Sequence, residues 1–293
     1  DIRDKDLLRK KIKEIKPDIV FHLAAQPLVI DSYKNPIYTW ETNLNGTLNL
    51  LEALKNIEKN CAIVIVSTDK VYENKEWEYG YREIDKLGGH DPYSASKAGM
   101  EIAIQSWRKS FCGNMPHQNK YISIASARAG NVIGGGDYSE DRLIPDIYLS
   151  AKKTKQITLR NPKSVRPWQH VLEPLSGYLI LAEKLYKNKL KNQDQNWNFG
   201  PNISSCKPVK YVAEKFARAL GLKLKTIKLR SKSFSSETDL LRLSNYKAKK
   251  FLNWHPKWKL NKSIDKILEW NSVKNKNNAL KVCQIQIKEF LEN

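Results

Sequence analysis

The chain has 293 residues, 41% of them hydrophobic, which excludes a disordered segment and suffices for a substantial core in one large or two modest domains. No apolar run approaches the ~20 residues that a membrane helix requires, so a soluble, cytoplasmic protein with no membrane partner is expected. The formal charge is +20, but the lysines of "KKIKEIK", "KLKTIKLRSK" and "KAKK" are scattered, which favours solvated faces that help attract a small anionic substrate over a nucleic-acid role or a weak membrane or partner contact.

"DIRDKDLLRKKIKEIK" reads as a polar lead into an amphipathic helix, with Leu7, Leu8, Ile12 and Ile15 at helical spacing and Pro17 as its stop. "DIVFHLAA" is an apolar run of strand length, a second helix is expected from Pro36 to about Lys55, and "CAIVIVSTD" is another continuous apolar strand. A third helix should begin after Asp91, whose side chain caps orphan amides while Pro92 occupies the first turn, and run to about Ser110. "YISIASARAGNVIG" reads as a further buried strand and "VLEPLSGYLILAEKLY" as a helix returning to the sheet. Continuous apolar strands alternating with helices predict an α/β fold with a parallel sheet covered on both faces.

No G-x-G-x-x-G turn follows the first strand, and "GGG" at 134–136 does not open a βαβ unit. Either no dinucleotide binds or the chain is missing its beginning. The four cysteines, Cys61, Cys112, Cys206 and Cys283, lie far apart without C-x-x-C spacing, so neither a zinc site nor a disulfide framework is suggested; His22, His90 and His170 are read as structural.

Tyr93 and Lys97 are four residues apart and share a helix face. Lowering a phenol from ~10 to ~7 needs about 4 kcal/mol of preference for the phenolate, which a neighbouring ammonium and a cationic nicotinamide ring could supply together. The tyrosine would then serve as base toward a sugar or alcohol hydroxyl. This pair alone is a weak signal. Ser67 and Thr68 strengthen it, because they close an apolar strand where ligands of open α/β sheets gather, and Ala24 and Ala25 end the preceding strand with room for a cofactor.

"DIRD", "HLAAQPLVIDSY", "TNLNGTLNLLEA", "VSTDKVYENKEWEYGYREIDKLGGHDPYSASKAGME", "ARAGNVIGGGDYSEDRLIPD" and "RPWQHVLEPLSGYLILAEKL" together resemble the extended short-chain dehydrogenases/reductases that act on nucleotide sugars. Within them the chain is most similar to the CDP-glucose 4,6-dehydratase group, and "LRLSNYKAKKFLNWHPKWKLNKSIDKILEW" extends the likeness into the tail. The resemblance implies a Rossmann-type, doubly wound parallel sheet at 1–133 and 168–199 and a smaller nucleotide-sugar-binding lobe at 134–167 and 200–293. It places "DIRD" after a third strand, so a fragment lacking roughly the first 60 residues, with the Gly-rich turn, is expected. Asp1 and Ile2 are then the remaining residues near adenine.

NAD is the implied cofactor, with Ala24, Ala25, Asn43, Ser67, Tyr93 and Lys97 around it. Tyr93 would take the proton of the sugar's 4-hydroxyl, supported by Thr68 and Lys97. The 4-ketone makes the carbon 5 proton acidic, and Asp69 and Lys70 match the positions of the acid that protonates the departing 6-hydroxyl and the base that removes that proton. Two roles on neighbouring residues require burial to push the acid's proton affinity up and the amine's down. Relatives acting on dTDP-glucose or GDP-mannose carry glutamate in place of Lys70, which favours CDP-glucose. Asn131 and Arg166, with Arg142 a weaker candidate, match positions that hold the substrate's nucleotide and diphosphate. Trp77, Tyr79 and Tyr81 read equally as pocket wall or core. Rival readings are a UDP-N-acetylglucosamine dehydratase, a 4-epimerase and a basic nucleic-acid-binding relative without catalysis. A homodimer through the helices at about 36–55 and 92–110 follows from the resemblance.

Overall fold

The computed structural model describes residues 1–188, 190, 195–226, 239–273 and 275–292. Helix α1 (Lys5–Ile15) begins where the Asp4 carboxylate accepts the Leu7 N–H at 3.0 Å, and ends at Lys16, whose φ of 49° turns the chain before Pro17 can. Strands β1 (Ile19–His22), β2 (Cys61–Thr68) and β3 (Ile122–Ala129), with the short strand Asn196–Asn198, pair in that order, all parallel.

The continuous apolar character of β2 has a direct cause. Successive side chains point to opposite faces, and both faces are buried. Cys61, Ile63 and Ile65 join Leu50, Leu51, Leu54, Met100 and Ile104 beneath helices α4 (Gly46–Leu54) and α5 (Pro92–Phe111). Ala62 and Val64 face the other way, toward Tyr178, Leu181 and Leu185 of α7 (Leu172–Tyr186), Phe199 and Trp254. The sheet is thus covered on both sides, as the apolar runs require.

A second core lies beyond β3. Ile144 and Ile147 of α6 (Leu143–Lys153), Val212 and Phe216 of α8 (Val209–Leu220) and Ile264 and Ile267 of α9 (Leu260–Asn271) pack with Ile133, Ile157, Leu159 and Trp168. Three two-stranded ladders stitch this part: Gln156–Leu159 with Lys223–Thr226, Val132–Ile133 with Gln169–His170, and Val165–Pro167 with Cys206–Pro208. Helix α10 (Lys276–Glu292) packs on α9, Lys266 bridging to Glu289 at 2.6 Å.

Three features depart from the sequence pattern. A short helix, α2 (Val29–Lys34), lies where no periodicity signalled one; its start carries no side-chain cap, and its support is packing on α5. The helix expected from Pro36 to about Lys55 is broken into α3 (Pro36–Trp40), a π-helical turn at Glu41–Asn45, and α4. The run "YISIASARAGNVIG" is not one strand, because β3 stops at Ala129 and Asn131 adopts φ 46°, sending Val132–Ile133 to pair with Gln169–His170. Among the described residues no helix is long and apolar enough to cross a membrane.

Candidate active site

The C-terminal end of β2 opens into a cavity of about 1320 Å³ whose wall includes Ser67, Thr68, Asp69, Lys70 and Tyr93. Asn131, Arg142 and Arg166 line the same cavity, so eight of the residues singled out from sequence surround one space. The strand ends in a 3₁₀ turn at Asp69–Val71, where the Thr68 hydroxyl accepts the Lys70 N–H at 3.3 Å and donates to Asp69 Oδ1 at 3.1 Å. Opposite it, α5 starts with the predicted cap: Asp91 Oδ1 accepts the Ser94 N–H at 2.9 Å, and Pro92 fills the first turn. This start fixes the phase of α5 and brings the Tyr93 side chain near Thr68, whose hydroxyl favours the phenolate. Tyr93, Thr68 and Asp69 therefore stand together at the cavity wall.

Burial dominates the protonation of these groups. Asp69 is 2% exposed and its Oδ2 has no hydrogen-bond partner among the described residues. Desolvation raises its carboxyl above the usual range, against the opposing pull of Lys70, Thr68 and Arg166. The Tyr93 phenol is pushed up to about 12 by burial, with Thr68 and Arg142 pulling down and the Asp69 and Asp91 charges adding to the rise. Lys97, one turn along α5, is buried and lowered to about 8 by desolvation, partly opposed by Glu101. Its ammonium donates to the Val66 carbonyl at 3.2 Å and lies 3.9 Å from Met100 Sδ. A carboxyl whose proton affinity burial raises, a phenol and a buried ammonium are the equipment of proton transfer around a bound hydroxyl compound.

Apart from Arg142, the other singled-out residues lie away from this wall. Asn43, on the π turn, pins the chain after β1: its Oδ1 accepts the Gln26 N–H at 2.8 Å, and its Nδ2 donates to the Gln26 carbonyl at 3.1 Å and to Ser96 Oγ at 2.9 Å. Ala24 is exposed and Ala25 half-buried just beyond β1. The Asp1 carboxylate pairs with Arg3 at 2.7 Å, and Ile2 packs against Gly46. Trp77 and Tyr79 are exposed; Tyr81 is buried, stacked on Tyr72 with centroids 5.0 Å apart. Arg142 shares its charge with Asp137 at 3.0 Å. His22 is buried against the Thr47 hydroxyl at 2.9 Å, and burial with the Lys97 charge lowers it to about 4.

Sequence reading missed the buried polar net behind this wall. Arg128 of β3 forks onto Glu101 of α5, Nε to Oε1 at 2.9 Å and Nη2 to Oε2 at 2.8 Å, and its Nη1 reaches the Tyr72 hydroxyl at 2.8 Å. Tyr72 in turn donates to Asn198 Oδ1 at 2.8 Å. The signals were present: Glu101 continues the four-residue spacing of Tyr93 and Lys97, and Arg128 interrupts an apolar strand with a charge.

A family model described as GDP-mannose 4,6 dehydratase matches residues 1–267. The chain belongs to this family. It is 44% identical over 283 residues to CDP-glucose 4,6-dehydratase of Salmonella typhimurium, covering 97% of the chain and 78% of that protein. Among solved structures it resembles Pal from Bacillus thuringiensis (TM-score 0.79, 23% identity, 93% of this chain and 81% of that one). It also resembles dTDP-glucose 4,6-dehydratase from Bacillus anthracis in complex with NAD (TM-score 0.75, 23% identity, 93% and 78%). These two likenesses show the fold, a Rossmann-like α/β sheet, and agree with the sequence expectation.

Proposed function

We propose that this member of the family is an NAD-dependent nucleotide-sugar 4,6-dehydratase that converts CDP-glucose to CDP-4-keto-6-deoxyglucose for deoxysugar synthesis. The observation that carries the reading is the buried carboxyl of Asp69, whose Oδ2 has no hydrogen-bond partner among the described residues, beside Thr68, Lys70 and Tyr93 on the wall of one cavity. The 44% identity to the Salmonella enzyme supports the CDP-sugar.

The residues present fit the nicotinamide half of a dinucleotide. An ammonium carries three donors, yet buried Lys97 has one carbonyl and one thioether for them; the spare protons suit ribose hydroxyls. Ser67 beside it and the open Ala24 and Ala25 complete the residues that would hold the group. NAD, when bound, would supply an acceptor for the carbon 4 hydride and a donor for carbon 6.

Tyr93 holds the proton of the 4-hydroxyl, which it accepts as phenolate and passes along Thr68. Its high proton affinity in the ligand-free site means that positive charge from Lys97 and the bound ligands must favour the phenolate. Once carbon 4 is a ketone, the carbon 5 proton goes to the Lys70 amine, and the electron pair left on carbon 5 expels the 6-hydroxyl. Asp69, whose proton affinity desolvation raises, gives that hydroxyl its proton, so it leaves as water. Hydride then adds at carbon 6 and a proton at carbon 5, leaving the 4-keto-6-deoxy sugar. Arg166 and Arg142 face the same space and would fork onto the diphosphate, while Asn131 sits beside the nucleotide. Residues 1–133 and 168–199 would carry the cofactor and 134–167 and 200–293 the nucleotide sugar.

We also infer a cytoplasmic homodimer. Ile37 on α3 and Ile102 on α5, adjoining helices, are 69% and 58% exposed, an apolar surface that pairing through these helices would cover.

The test is a panel of CDP-, dTDP-, GDP- and UDP-sugars with NAD, followed by mass spectrometry for loss of one water. CDP-glucose should be converted, with deuterium moving from carbon 4 to carbon 6 inside one molecule. Conversion of another nucleotide sugar with CDP-glucose untouched would refute the substrate, and epimerisation without loss of water would refute the reaction.

A further inference from the structure

Gly130 follows β3 and precedes Asn131, whose backbone lies in the left-handed region. A Cβ placed on Gly130 would lie 1.7 Å from Asp69 Oδ2, 2.1 Å from its Cγ and 2.7 Å from Oδ1. The Asp69 carboxyl is therefore seated on the bare Cα of Gly130, in space that any side chain would fill. Gly135 and Gly177, also crowded, meet hydrocarbon instead, Trp270 and Phe199. Gly130 instead admits a buried carboxyl whose Oδ2 is left without a partner. The turn is also held from behind: Gln169 Nε2 donates to the Gly130 carbonyl and the Gln169 N–H to the Asn131 carbonyl, both at 3.3 Å. It has little freedom to retreat from an added methyl.

We infer that Gly130 is a positioning residue for Asp69, its missing side chain forming the seat that keeps the carboxyl against the cavity wall in register with Thr68 and Lys70. The kinetic consequence rests on the reading of Asp69 as the acid of the elimination; the geometry does not. A methyl at 130 drives the carboxyl off its seat toward the open cavity, where water reaches it. Relieved of part of its desolvation, it ionises at lower pH than in the native protein.

The decisive measurement is a carbon-13 NMR titration of side-chain carboxyls in the ligand-free protein, with the Asp69 signal assigned by its loss in Asp69→Asn. The Asp69 midpoint in Gly130→Ala should fall clearly below the native one. An unchanged midpoint overturns the inference whatever the protein catalyses. With CDP-glucose and NAD, Gly130→Ala should slow elimination by roughly 10²-fold while the first oxidation, read as reduced-cofactor absorbance in a single turnover, stays near native. Asp69→Asn added to Gly130→Ala should cost little more, because both remove one function; equal losses in both steps, or losses that multiply, count against the seat. Absence of turnover by the native protein would refute the dehydratase reading and leave the titration to judge the seat. Should Gly130→Ala not fold, Asp69→Glu crowds the same space with a longer stem, and a native midpoint with native elimination there would equally overturn the inference.

Discussion

Arg128 and Glu101 meet as a two-bond fork, 1% and 0% exposed, that ties β3 to α5 directly behind the cavity. A planar guanidinium matched to a carboxylate satisfies both charges where water is absent. Removing one partner strands the other. Arg128→Met should therefore cost about 3–5 kcal/mol of stability, while Arg128→Met with Glu101→Leu should recover much of it. Burial acts to raise the Glu101 carboxyl, but Arg128 and Ser126 outweigh it and leave the group below its ordinary 4.5. The pair's contribution is thus complete above that value and lost as pH falls through the lowered one. Denaturant unfolding of native and Arg128→Met proteins should converge in acid; a gap independent of pH would contradict the charge argument.

Asp69 carries the opposite sign. Its carboxyl is raised from 3.8 by burial, so the folded state holds its proton and loses that advantage as pH rises through the raised value. Asp69→Asn, which cannot ionise, should gain stability relative to native as pH rises above the ordinary 3.8 toward the raised value. The same variant should lose ~10²–10⁴-fold in elimination and keep the first oxidation. Parallel stability curves, or unchanged elimination, would show that the carboxyl is neither strained nor the acid.

Lys97 is buried and lowered from 10.5 to about 8. Holding it charged near neutral pH costs the fold roughly 3 kcal/mol. That cost is complete below the lowered value and vanishes above the ordinary one. Lys97→Met should therefore be more stable relative to native at pH 7 than at pH values above about 10.5, although it removes the group proposed to support the cofactor. Thermal unfolding across that range measures it, and a constant difference would contradict the burial argument.

Tyr93, pushed up to about 12, should contribute no tyrosinate absorbance to the ligand-free protein at neutral pH. NAD with a substrate analogue should bring part of that absorbance down toward neutral pH, and Tyr93→Phe should abolish the change together with the first oxidation. A signal that survives Tyr93→Phe belongs to another tyrosine and would remove the proposed base.

Pairing through α3 and α5 predicts that Ile102→Glu converts a dimer of 33.8 kDa chains to monomers in light scattering. Native protein that already scatters as a monomer would end that proposal.

Local patterns made much of this molecule legible. Alternate residues of β2 meet two different cores, so a continuous apolar run announced a doubly covered strand. Asp91, Pro92 and the four-residue steps to Tyr93, Lys97 and Glu101 set the start and phase of α5, because capping and helical phase depend on neighbours in the chain. Short-range chemistry also marked Asp69 and Lys70 at the strand's exit. What the pattern could not supply was the environment. The seating of Asp69 on Gly130, the turn of Lys97 toward the Val66 carbonyl, the packing that creates α2 and the Arg128–Glu101 fork join residues distant in sequence. Their charge states follow from which groups lose water when the sheet, α5 and the second core close together, and desolvation is a property of the assembled interior rather than of any stretch of chain.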